Sequence, residues 1–193
     1  MLIETILKKI NNKFKNDIYR LNHILGVYQK ATDLALFYGE NVEEAQIAAL
    51  FHDYTKNESL EFHLSLLDNE IINKYKQMVF MYHAFSAPII LQKEFNINNT
   101  NIFNAIRKHV WGHEDMNKLD KIILISDKIE DSREFPNIND FRELAFKNLD
   151  QTIYELLKNN INYYSKKGFE PFPEQIKILN SLSKKIFKLK KVW

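Results

Sequence analysis

The chain of 193 residues contains no cysteine. Disulfides and thiolate zinc sites are therefore excluded, and any bound metal must be held by His, Asp or Glu. Glycine and proline number only four each. That is too few for the tight turns of a sandwich or barrel, and it points to long helices. Excess charge is also scarce: the net value of +2 does not suit a general nucleic-acid binder. The opening MLIETILKKINNKFKND is interrupted too often by Lys, Glu and Asn for a signal peptide or membrane span. A cytoplasmic location without membrane contact is the default expectation. No repeat, low-complexity linker or composition break divides the chain, so a single domain over residues 1–193 is expected.

What is present is ordinary for a soluble globular protein, with 45% hydrophobic and 27% charged residues. Helical periodicity dominates. A helix is expected from Asp17 to Tyr38, with Leu21, Leu25, Tyr28, Leu34 and Ala35 on its apolar stripe and Gly39 as terminator. Asn41 with Glu44 reads as a capping box for the next helix, whose small residues Ala45, Ala48 and Ala49 favour close helix packing. Further helices are expected near 59–67, 70–76, 79–95, 99–109 and 117–131. A long one from Asp140 to Tyr164 and a final one over 174–190 complete an all-α bundle of about eight or nine helices. The basic end KKIFKLKKVW suits a solvated last helical turn better than an anionic docking site.

A few ionisable residues interrupt the apolar faces. His23 lies within LNHILGVY, and His52 and Asp53 end the run AALFHDYTK. His83 follows VFMY, His109 follows AIRK, and Asp127 follows KIILIS. An unpartnered buried polar group costs on the order of 1–3 kcal/mol, so six such interruptions make sense if they converge. Four imidazoles and two carboxylates suit Fe, Mn, Co, Ni or Zn, whereas Mg and Ca prefer oxygen shells. His52 and Asp53 project about 100° apart on a helix, yet at its last turn they can flank one cation and leave an Asp oxygen for a second. A lone His on an apolar face is more often a satisfied core residue, and His63 and His113 are read that way. Asp33, Glu58, Glu114 and Asp115 are read as solvated or capping charges.

The pattern His23, His52–Asp53, Asp127 resembles the HD-domain metal-dependent phosphohydrolases. The longer strings RLNHILGV, AALFHDYTK, AIRKHVWG and SDKIEDSREFPNINDFRELAFKNLD resemble the YqeK-type branch, the symmetrical dinucleoside-tetraphosphate hydrolases. The likeness spans roughly residues 17 to 180. It implies an all-α HD fold that splits diadenosine tetraphosphate into two ADP. It further implies a first metal on His23, His52, Asp53 and Asp127, and a second that shares Asp53 and adds His83 and His109. Fe is the first expectation, with Co, Mn, Ni or Zn as substitutes, and a metal-bridging hydroxide is the implied nucleophile. Lys56 and Arg133 match the branch's phosphate-binding positions, and Arg107 is a weaker candidate. A homodimer is a further expectation.

The chain departs from the branch in three places. His83-Ala84-Phe85 stands for His-Gly-Pro, His109-Val110-Trp111-Gly112 for His-Thr-Thr-Gly, and Asp131-Ser132-Arg133 for Pro-Gly-Arg. Every expected ligand survives these changes, and Trp111 becomes a candidate platform for a nucleobase. Two other readings stand beside the tetraphosphatase: an HD phosphohydrolase for a nucleoside monophosphate or dNTP, and a nucleotide-binding module without turnover.

Overall fold

The structure, a computed structural model, describes residues 2–189. Residues 190–193 of the basic end lie outside the described residues. Among the described residues are eleven α-helices and no strand: α1 (Leu2–Lys13), α2 (Ile18–Tyr38), α3 (Val42–Phe51), α4 (Leu60–Leu66), α5 (Asn69–Tyr75), α6 (Tyr82–Phe95), α7 (Thr100–Lys108), α8 (Lys118–Ile129), α9 (Ile138–Ala145), α10 (Leu149–Ser165) and α11 (Pro173–Leu189). A 3-10 turn, Val79–Met81, leads into α6. No described helix is long and apolar enough to cross a membrane.

The count exceeds the expected eight or nine for two physical reasons. α1 forms because Ile6 and Ile10, one turn apart, are fully buried, each contributing about 1.5–3 kcal/mol of hydrophobic stabilisation. The stretch expected as one helix from Asp140 to Tyr164 is two. The Asn148 side chain accepts from Gln151 N and starts a fresh helix, while the amides of Lys147 and Asn148 both close back on the Leu144 carbonyl.

Other ends follow the sequence closely. Asp17 caps α2 by accepting from Arg20 N, and Gly39 closes it in the left-handed region at φ 65°. Asn41 caps α3 through Glu44 N. The Glu44 carboxylate does not turn back to close the box; it accepts from the side chains of Asn99 and Asn101, tying the starts of α3 and α7 together.

α3 is the central helix, buried on all sides from Ile47 to Phe51 and packed against α1, α2, α6, α7 and α8. Ala45, Ala48 and Ala49 permit that close approach. Most of the interior is one hydrophobic cluster built on α1–α3, α7, α8, α10 and α11. A smaller cluster of Leu67, Tyr75, Met78, Met81 and Tyr82 lies under α4, α5 and the start of α6. α6 spans both, since its Ala87 and Leu91 enter the larger one.

Candidate metal centre

The six singled-out residues come from five helices and meet at one point, all buried. His23 sits in the second turn of α2. His52 is the C-cap of α3, and the chain turns immediately afterwards, with Lys56 N bonded to Asp53 O. That turn lets two adjacent residues aim at one place. His83 is in the first turn of α6, His109 is the C-cap of α7, and Asp127 lies in the last turn of α8.

Asp53 is the hinge between two groups. Its Oδ2 lies 3.7 Å from Nε2 of both His23 and His52. Its Oδ1 lies 3.0 Å from His83 Nε2 and 3.5 Å from His109 Nε2. Asp127 Oδ1 joins the first group, 3.1 Å from His23 Nε2 and 3.8 Å from His52 Nε2. Two sets of atoms, His23–His52–Asp53 and Asp53–His83–His109, are each compact enough to hold one cation.

The outward nitrogens fix the ring orientation. Nδ1 of His52, His83 and His109 lies 2.6, 2.6 and 2.7 Å from the carbonyl oxygens of Ala49, Phe80 and Ile106. Carbonyls only accept, so Nδ1 carries the proton and Nε2 turns its lone pair inward. His23 Nδ1 donates in the same way to Glu130 Oε1 at 3.0 Å. The inward Nε2 atoms then face each other in pairs, His23 with His52 and His83 with His109, each at 3.2 Å. Among the described residues, the buried Asp53 Oδ1 finds no hydrogen-bond donor. Facing lone pairs beside an unsatisfied carboxylate oxygen are poor company without a cation, and the donor set is that of a first-row divalent ion. The residues fit the metal centre that the sequence implies.

Cations line the mouth. Arg20 Nη1 donates to Asp53 Oδ2 in a partly buried ion pair. Lys56 Nζ lies 3.2 Å from His83 Nε2 and 3.6 Å from Asp53 Oδ1. Lys128 Nζ is 2.6 Å from Asp127 Oδ2, and Arg133 Nη2 is 3.0 Å from Asp127 Oδ1. With Tyr19 and Val110 these residues border an open cleft of about 240 Å³ that ends on the cluster.

Burial and charge divide the titrations. Burial lowers the His52 imidazole to about 3 and the His83 imidazole to about 4, against partial compensation by Asp53. Burial also acts to lower His23, but its hydrogen bonds to Asp127 and Glu130 outweigh it and leave that ring raised. Burial would raise both carboxyls. For Asp53 the surrounding His52, His109 and His83 rings overcome it, and for Asp127 the Lys128 ammonium and the His23 contact do so. Both remain well below the usual carboxylate range.

Several neighbours escaped the sequence reading. Arg20 precedes His23 by three residues and Glu130 follows Asp127 by three, the spacing of side chains on one helix face, which was the available signal. Lys128 carries no such signal. His63 is a satisfied buried residue, 2.9 Å from Ser86 Oγ, and the exposed His113 accepts from Asp115 N. Arg107 stands apart, bordering a different cleft with Asp68 and the apolar Leu66, Leu67, Ile71, Phe85 and Ile89. Phe172 stacks on one face of Trp111, with ring centres 4.9 Å apart, and Phe80 meets the indole edge-on.

The HD domain family model matches residues 20–131, a span that runs from Arg20 past Asp127. The chain is 33% identical over 168 residues to a symmetrical bis(5'-nucleosyl)-tetraphosphatase of Halalkalibacterium halodurans, covering 85% of this chain and 89% of that protein. It is 31% identical over 166 residues to the protein of the same name from Bacillus subtilis, with the same coverage. Among solved structures, a predicted HD superfamily hydrolase involved in NAD metabolism from Clostridium acetobutylicum matches with a TM-score of 0.82 and 28% identity, over 94% of this chain and 97% of that one. The protein belongs to the HD-domain family and is a hydrolase of the group that its curated relatives form.

Proposed function

We propose that this hydrolase splits dinucleoside tetraphosphates symmetrically, converting diadenosine tetraphosphate and water into two ADP. The observation that carries the reading is the cation-rimmed cleft ending on two ligand groups that share Asp53. At about 240 Å³ the cleft is smaller than the usual pocket for a whole organic ligand. It suits the phosphates, with the nucleosides emerging at its mouth. The relatives' names support the same substrate.

His23, His52, Asp53 and Asp127 would hold one cation, and Asp53, His83 and His109 the second. Fe leads, and Co, Mn, Ni or Zn suit the same donors. Two bound divalent cations supply Lewis acidity, polarising a phosphoryl oxygen and making water more acidic near neutral pH. The chain's own residues do the rest. Asp53, held ionised, lies between the two places. Metal binding would occupy both carboxylates, and Arg20, Lys56, Lys128 and Arg133 would turn from them to the phosphate oxygens. Arg133 and Arg20 can each give two parallel hydrogen bonds, while Lys56 and Lys128 act as point charges. So oriented, the tetraphosphate presents its central anhydride to attack: water oxygen bonds to one inner phosphorus and gives up a proton to solvent, the bridging P–O bond breaks, and one ADP leaves as an anion beside the cations while the attacked half is the second ADP. The whole chain acts as one cytoplasmic domain in this reading.

The test is product analysis. Protein loaded in turn with Fe, Co and Mn is expected to release only ADP from diadenosine tetraphosphate. It should also prefer that substrate over nucleoside monophosphates and dNTPs. AMP plus ATP as products, or no turnover with any of these metals, overturns the proposal.

A further inference from the structure

Beneath the second ligand group runs a buried hydrogen-bonded chain of side chains. Thr55 Oγ1 donates to the His83 carbonyl oxygen at 3.1 Å and lies 2.8 Å from Ser86 Oγ. Ser86 Oγ in turn lies 2.9 Å from His63 Nδ1. Ser86 Oγ also reaches the His83 carbonyl, at 3.4 Å. A carbonyl only accepts, so a hydroxyl proton goes to His83 whichever of the two supplies it. With the shorter Thr55 bond made, Thr55 accepts from Ser86 and Ser86 accepts from the His63 Nδ1–H. Thr55 and Ser86 are almost wholly buried, as is His63.

The path joins two parts of the molecule. Thr55 follows Asp53 by two residues, on the turn that leaves the central helix α3. His63 belongs to α4 and Ser86 to α6, beside the smaller hydrophobic cluster. His23, His52, His109 and Asp127 ride on helices of the larger cluster, whereas His83 sits in the first turn of α6, directly after Met81 and Tyr82 of the smaller one. α6 joins the two clusters through Ala87 and Leu91, but apolar packing is non-directional and does not by itself fix the first turn of that helix against Asp53. The hydroxyl of Thr55 supplies a directional link at the place where His83 Nε2 stands 3.0 Å from Asp53 Oδ1.

We infer that Thr55, Ser86 and His63 are positioning residues that hold His83 against Asp53 and so set occupancy of the Asp53–His83–His109 place independently of the other. The inference rests on the two-ion reading above. A positioning partner of a ligand is worth 10- to 100-fold in metal affinity, so the effect should be large and confined to one ion.

The experiment titrates Mn2+ and Co2+ into metal-free full-length protein by calorimetry, with bound ions counted after desalting. Thermal unfolding of each metal-free variant checks its fold. Wild type is expected to bind two ions. T55V, S86A and H63L should bind the first with wild-type affinity and the second at least about tenfold more weakly. T55S keeps the hydroxyl, and H63N presents an N–H at the position of Nδ1; both should restore the second ion. H63L lies farthest from the centre and decides the matter if T55V or S86A does not fold. Unchanged binding of both ions in the folded variants overturns the inference, and so does equal weakening of both. A wild type that binds a single ion overturns the two-ion reading instead.

Discussion

Glu130 Oε1 lies 3.0 Å from His23 Nδ1, and the carboxylate that makes this contact lies against Gly26, one turn further along α2. A Cβ on Gly26 would come within 2.5 Å of Glu130 Oε2. Glycine inside a helix costs about 0.5–1 kcal/mol relative to alanine, and here it leaves room for the carboxylate that orients His23. The same carboxylate is fixed from the other side by Ser132 N and Oγ, at 2.7 and 2.6 Å.

Substituting that carboxylate should therefore act on metal, not on the fold alone. Glu130→Ala is expected to weaken the first ion about 10- to 100-fold, with Glu130→Gln milder because an oxygen acceptor remains. Gly26→Ala should weaken the same ion even though alanine favours the helix. Metal titration of the purified variants measures all three; wild-type affinity in Glu130→Ala would contradict the role.

Asp53 is shared, so its loss should be felt twice. Asp53→Ala is expected to abolish binding of the second ion and lower turnover by at least about 100-fold. Counting ions per chain by elemental analysis checks this, and two ions in the variant would show that Asp53 does not bridge.

Lys128 and Arg20 should act through substrate. Lys128→Ala and Arg20→Ala are expected to raise KM for diadenosine tetraphosphate about 5- to 50-fold, the range of a charge-assisted hydrogen bond worth about 1–2.5 kcal/mol. Lys128→Ala should lower kcat much less. A kinetic series at rising salt would show a shallower dependence in each variant, since one phosphate contact is gone. An unaltered KM would remove Lys128 from the phosphate cradle.

Metal-free protein should lose stability on acidification. His52 and His83 titrate at about 3 and about 4 in the folded state, against about 6.5 when unfolded. Between those values the unfolded chain takes up protons that the fold refuses, so stability falls as pH drops below about 6.5. The raised His23 works oppositely, stabilising below its unfolded value and losing that contribution as pH rises through its folded one. Burial lowers His63 as well, so three lowered rings outweigh one raised ring. Asp53 and Asp127 add to stability above about 3.9 and lose it as pH falls through their depressed values. Denaturant midpoints of chelated protein at pH 7.5 and 5.5 test the sign, with the lower midpoint expected at 5.5. A saturating divalent ion should raise both, by about 4 kcal/mol at a thousandfold excess over Kd.

The six clustered residues were legible because each interrupts an apolar face, and burying six polar groups separately would cost too much. Glu130 and Arg20 were not, because a charge beside a helix end or in its first turn looks like solvated surface until a tertiary partner is known. In α1, Ile3, Ile6, Leu7 and Ile10 carry the helical period, but the interspersed Lys, Glu and Asn exclude a membrane span without marking a buried helix face. The break at Asn148 is invisible to periodicity, because an asparagine cap competes with helix continuation only locally. Trp111 illustrates a different limit: its departure from the branch was plain, but Phe172, sixty-one residues away, covers a face of the ring.

The four outward Nδ1 hydrogen bonds have a consequence for how the centre fills. Two of the rings, His52 and His83, are lowered by burial and hold their only proton on the side away from the ligand atoms, so a cation arriving there displaces none from them. His23 differs, with its raised titration. Loading near neutral pH should therefore release fewer protons than one for each imidazole. Such a centre is chemically ready at the moment the chain folds, and its filling should be nearly indifferent to pH above neutrality.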